Sequence, residues 1–202
     1  MIDDEIQIKS SPAETDSSPG GVTKTKYDET RERLPEHCNS VCAKPGSHNT
    51  LYWYPQSGVP TIESAFKRYV APRFFRWKQA VRAFAEFEDV LKRAKRGNLR
   101  PIYEVRTINP ATTMPEIIYE IKTHWNNAQR SIKTSGYIGA RLFYGEPEEK
   151  PNTVICVYLM CKVEHDDNET GWLVQTAAAK KAAFRFDECR RNNWDMNELS
   201  KI

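Results

Sequence analysis

The chain has 202 residues, 39% hydrophobic and 28% charged, with a formal net charge of +3. That excludes a wholly disordered polypeptide and leaves room for one domain with its own core plus a tail. No apolar run approaches the roughly 20 residues of a membrane-spanning helix, and Met1 is followed by Ile2-Asp3-Asp4-Glu5 without a basic start, so no signal peptide is expected. Residues 1–50 hold six Lys/Arg against nine Asp/Glu, so the remainder carries 24 against 18 and the expected folded part is basic. Such a part attracts phosphates or anionic lipid. The five cysteines, Cys38, Cys42, Cys156, Cys161 and Cys189, are odd in number and two lie in an apolar run, which suits reduced thiols and an intracellular chain, cytoplasmic or nuclear.

Residues 1–50 read as a disordered tail, since Ser10-Ser11-Pro12 and Ser17-Ser18-Pro19-Gly20-Gly21 bury too little surface to repay ordering. Residues 51–202 read as a single domain, and Leu51-Tyr52-Trp53-Tyr54 marks where the chain meets the core. A long basic amphipathic helical segment follows over 62–97. In it, from Pro72 to Arg96, Phe74, Trp77, Val81, Phe84, Phe87, Leu91 and Ala94 form one apolar stripe, closed by Gly97-Asn98.

Tyr103 to Thr107 reads as a short strand. Thr113-Met114-Pro115-Glu116 has the pattern of a capping box, and Ile117, Ile121, Trp125, Ala128 and Ile132 follow at helical spacing, which predicts a second helix to about Ser131. Strands are expected at Ile138–Tyr144, Thr153–Val163 (the central one) and Trp172–Val174. Thr176 would cap a last helix running to about Arg191. The order predicts an α+β fold: a small, mostly antiparallel sheet with helices packed on one face, preceded by a disordered N-terminal tail.

Chemical motifs are sparse. Cys38, Cys42 and His48 offer three metal ligands without a nearby fourth cysteine, short of a structural zinc set. His124 and His165 are the candidates for acid–base work in a nuclease or toxin, but nothing in the sequence brings them together. Gly136-Tyr137-Ile138-Gly139 reads as a helix stop leading into a strand. No catalytic residue, metal or cofactor is assigned, and a non-enzymatic binding protein is expected.

The basic clusters carry the functional expectation. Residues 62–100 hold eleven Lys/Arg against four Asp/Glu, mixed with Phe74, Phe75 and Trp77. Arg73, Arg76, Lys92, Arg93, Lys95, Arg96 and Arg100 on this segment, and Lys180, Lys181 and Arg185 on the last helix, are the candidate nucleic-acid- or membrane-binding residues.

Two resemblances bear on them. Val105-Arg106, Asn109-Pro110, His124-Trp125 and Leu142-Phe143-Tyr144-Gly145, within residues 103–145, resemble the core of vesiculovirus-type rhabdovirus matrix proteins. That resemblance implies a structural protein that engages a ribonucleoprotein, contacts an anionic membrane surface and self-associates in a virion. The tail here is acidic and lacks a Pro-Pro-x-Tyr motif, unlike that family. Residues 110–192, with Ala179-Lys180 followed by Ala183, are similar to a double-stranded-RNA-binding domain, which implies a stand-alone RNA-binding adaptor. Thr176 and Ala177 stand where that family has its leading lysines.

Overall fold

In a computed structural model the described residues are 38–108, 117–126, 137–163, 168–195 and 197–202. Helix α1 (Ile62–Tyr69) begins at Thr61, whose side chain accepts from Ser64 N at 3.1 Å, the usual service of an N-cap to an orphan amide. A 3-10 turn, Ala71–Arg73, then carries Pro72, and α2 (Trp77–Lys95) follows. The expected long helix is therefore interrupted: Pro72 occupies the short turn, and the regular helix begins only at Trp77.

The buried face of α2 also differs from the expected stripe. Ala80, Ala83, Phe87, Val90, Leu91 and Ala94 are buried, whereas Trp77 and Val81 are exposed. Both sets step by three and four. The small alanines sit against the core, and the larger Trp77 and Val81 are left outside.

A six-stranded sheet runs in the order β2-β3-β4-β5-β1-β6: β2 Val105–Ile108, β3 Ile118–Asn126, β4 Tyr137–Gly145, β5 Thr153–Val163, β1 Thr50–Trp53 and β6 Ser200–Lys201. All neighbours pair antiparallel except β1 with β5, which is parallel. The α+β class and the mostly antiparallel sheet are as expected, and β4 and β5 fall where the sequence puts strands.

Ile118–Asn126 is a strand and not the expected helix. Ile117, Ile121 and Trp125 step by four, which satisfies one helical turn and two strand repeats alike. The residues between decide: Tyr119, Ile121 and Trp125 pack into one core, and Ile118 into the other. The capping-box residues 113–116 and the segment 127–136 lie outside the described residues.

Helix α3 (Asn168–Arg191) takes in residues 172–174, where a short strand was expected. Ala177, Ala178, Ala179, Ala182 and Ala183 are the strongest helix formers available and carry the helix back over Leu173 and Val174, both exposed on it.

Helices cover both faces of the sheet, which corrects the expectation of one. On one face α1 and α2 enclose Trp53, Phe66, Phe87, Leu142, Tyr144 and Leu159. On the other, α3 lays Ala179, Ala183 and Phe186 over Phe143, Ile155 and Val157. A register shift in the β4–β5 pairing, Phe143 opposite Tyr158 but Tyr144 opposite Cys156, leaves Val157 out of the pairing.

The folded chain also starts earlier than residue 51. Ser40, Cys42 and Asn49 are buried, and a 3-10 turn spans Val41–Ala43. Ser40 Oγ lies 2.5 Å from Tyr144 OH and donates to Glu146 Oε1 at 2.6 Å, while Val41 N reaches both carboxylate oxygens at 3.1 and 3.2 Å. Burial pushes the Glu146 carboxyl up against the pull of those donors. Composition hides this clamp because its members are polar. Residues 1–37 lie outside the described residues. Among the described residues no helix is long and apolar enough to cross a membrane.

Candidate nucleic-acid interface

The candidate cations do not form one surface. Helix α2, 19 residues and so about 28 Å long, separates them. At its N-terminal end Arg73 and Arg76 are exposed, beside Phe74, whose ring packs edge-on against Trp125 at 5.7 Å. At its C-terminal end Lys95 O accepts from Asn49 N at 2.7 Å.

The C-terminal cluster is largely committed to carboxylates. Arg93 Nη1 donates to Glu104 Oε2 at 2.7 Å, and Arg100 contributes its backbone N at 3.0 Å and its Nη2, to Oε1, at 3.4 Å. Burial works against the Glu104 carboxylate, but the Arg93 and Arg100 donors outweigh it and hold its pKa down to about 2. Lys92 pairs with Asp89 at 3.0 Å. Lys92 and Lys95 border a hollow of about 270 Å³ that also has Glu63 and Glu88 on its wall. Arg96 is exposed. This end is a mixed-charge surface.

Helix α3 presents a different environment. Its buried residues Ala178, Ala179, Ala182, Ala183 and Phe186 turn Lys180, Lys181 and Phe184 to the outside. These three line a groove of about 510 Å³ with Arg185, Tyr158 of β5, Gln56 and Ser57 of the loop after β1, and Tyr69 at the end of α1. The lining has three cations, three aromatic rings and no carboxylate. Lys180 and Lys181 are exposed and make no ion pair among the described residues.

The groove lies where β1 ends. β1 pairs with β5 only as far as Cys156, and among the described residues no strand pairs with Tyr158–Val163 on that side. Polar side chains close this edge: Gln56 Oε1 accepts from Leu159 N at 2.8 Å, and Arg185 donates to Val157 O at 2.8 Å and to Pro55 O at 2.5 Å. The Arg185 guanidinium also lies 4.9 Å from the Tyr54 ring centroid, in cation–π contact. Of the three candidates on α3, Arg185 therefore shapes the groove, and Lys180 and Lys181 line it with their side chains exposed.

The sequence gives no sign of an ionic network on the same sheet face. Glu120, fully buried, takes Arg106 Nε at 2.6 Å and Gln175 Nε2 at 2.7 Å, and Arg141 Nε lies 3.2 Å away. Arg141 Nη1 donates to the Thr123 and Ala140 carbonyls, each at 3.2 Å. Beside them Lys122 donates to Ile102 O; burial and the neighbouring Arg106 charge push its pKa down to about 8. One α3 residue and three strands meet in this network, which locks the helix to the sheet. Period-two patterning places Glu120 on a sheet face, but only the register shows that its neighbours are arginines.

Among the described residues Cys38, Cys42 and His48 do not form a ligand set. Cys42 is fully buried, with burial pushing its thiol up to about 12, while His48 is exposed. Among the described residues no group of three or more His, Cys, Asp or Glu side chains is placed to hold a metal ion. His124 is exposed on β3, opposite Gly139; His165 lies outside the described residues. No family model, no curated protein and no solved structure matches the chain. What fold and site define is an α+β protein with a cationic, ring-lined groove at the open edge of its sheet.

Proposed function

We propose that this chain is a non-enzymatic RNA-binding protein that holds a single strand in the groove between α3 and the open edge of β5. The observation that carries the reading is the pairing of Lys180 and Lys181, free of carboxylate partners among the described residues, with the rings of Tyr158, Phe184 and Tyr69 around one groove. Phosphates need cations that are not already neutralised, and unpaired bases need ring faces. A paired helix offers its bases no such access, so the rings favour single-stranded over duplex RNA.

Lys180 and Lys181 meet the backbone, Tyr158 and Phe184 take base faces, and Arg185 keeps the floor in shape. The test is fluorescence anisotropy with a labelled single-stranded RNA and a duplex of the same length. The wild-type chain prefers the single strand. Phe184→Ala, at a position 55% exposed and therefore cheap for the fold, weakens binding by about tenfold, within the range for one lost base–ring stack. Equal affinity of the wild type for both RNAs, or no change on Phe184→Ala, refutes the reading.

A further inference from the structure

The corner between α1 and α2 carries side chains that neither core takes up. Phe75 and Trp77 are 74% and 66% exposed. Their backbone is nonetheless fixed: Arg73 N donates to Val70 O and Phe74 N to Ala71 O, each at 3.1 Å, and Gln79 Oε1 accepts from Arg76 N at 3.3 Å. The Phe74 ring anchors the turn on Trp125. Two large rings are thus held in water on an ordered turn, an exposure that marks an interaction surface.

The charge around them has one sign. From Ser64 to Ala85 there are six Lys/Arg and no carboxylate. Arg73, Arg76 and Lys78 are exposed and make no ion pair among the described residues. Outward rings between unneutralised cations suit a ligand that is anionic along its length and flat-faced at intervals, which describes a polynucleotide strand.

The corner also follows the groove closely along the chain. Tyr69 lines the groove, and Trp77 lies eight residues on, at most about 28 Å of extended chain. Arg73 lies between them, and its charge acts on the thiol of Cys161, on the same strand, β5, as Tyr158.

We infer that Phe75 and Trp77, with Arg73, Arg76 and Lys78, form a second contact for the same single RNA strand, which leaves the groove past Tyr69 and stacks further bases on this corner. The inference rests on the groove reading and extends the footprint of that site. Its test uses the full chain with labelled single-stranded RNAs of about 5 and about 15 nucleotides, sized to cover one contact or both.

The double substitution Phe75→Ala/Trp77→Ala lowers affinity for the longer RNA by about tenfold or more and leaves the shorter one unchanged. Lys180→Ala/Lys181→Ala weakens both lengths. An unchanged affinity of the corner variant for the longer RNA overturns the inference and leaves the groove standing. Loss of both lengths in the corner variant, with none in the lysine variant, overturns the groove reading and with it the shared strand. Binding of the wild type but not the corner variant to anionic vesicles, with RNA affinity intact, overturns it in favour of a lipid surface.

Discussion

The Arg185 side chain donates at 2.8 Å to the carbonyl oxygen of Val157, the β5 residue that the register shift leaves out of the β4–β5 pairing. An irregular carbonyl at a sheet edge would otherwise need water, and here it has a charged donor that also reaches Pro55 O. Arg185→Lys keeps the charge but loses the planar fork. It should cost about 1–3 kcal/mol, the penalty for leaving such groups unmet, read from the urea midpoint. Lys180→Ala, on the exposed side of the same helix, should stay within about 0.5 kcal/mol of the wild type.

Glu120→Gln should be the most damaging single polar change. The side chain is fully buried between Arg106 and Arg141, and neutralising it removes the carboxylate charge that both guanidinium groups approach. Breaking a buried pair from one side costs roughly 3–5 kcal/mol, so chemical denaturation should show a large fall in midpoint. A change below about 1 kcal/mol, the level of an exposed pair, would mean that water reaches this cluster.

Acid should loosen the end of α2. Burial alone would raise the Glu104 carboxyl, but the Arg93 and Arg100 donors outweigh it and take the group from its ordinary 4.5 to about 2 on folding. A depressed carboxylate contributes stability that is fully present above its unfolded value and is lost as pH falls through the folded one. The contribution should therefore disappear between about pH 4.5 and about pH 2. Thermal unfolding of wild type and Glu104→Gln across that window should converge at the acid end.

Gly139→Ala should distort the sheet beneath the ionic network. A Cβ at 139 would stand 2.8 Å from Arg141 Nη1 and 2.9 Å from the backbone oxygen of Thr123. The arginine tip can shift; the β3 backbone cannot do so cheaply. Overpacking of this kind costs about 1–3 kcal/mol, visible as a lower unfolding midpoint.

The sequence discloses those elements whose local signal has only one reading. Thr153–Val163, rich in Val, Ile, Tyr and Cys, is a strand on any count, and Leu51 and Trp53 mark the core from their abrupt aromatic setting. It misleads where two periods coincide, as at Ile117, Ile121 and Trp125, and where an alanine run overrides local strand propensity, as at Leu173 and Val174. The site was half visible. Lys180 and Lys181 stand out as cations, but the groove also needs Tyr158, Tyr69 and Gln56, which come from β5, α1 and the loop after β1 and share no sequence pattern. Arg93 and Arg100 look like free cations until Glu104 is seen between them. The buried clamp of Ser40 and Glu146 joins residues 106 positions apart, beyond any local window.

The salt dependence of single-stranded RNA binding, measured on the wild type and on Lys180→Ala/Lys181→Ala, tests the central claim most directly. Each phosphate neutralised on a single strand contributes about 0.7 to the slope of log K against log salt. The wild type should bind with a steep negative slope, and the double variant should bind more weakly with a slope shallower by roughly 1.4. An identical slope and affinity in the two proteins would contradict the account, because the groove would then contribute no cation to the RNA.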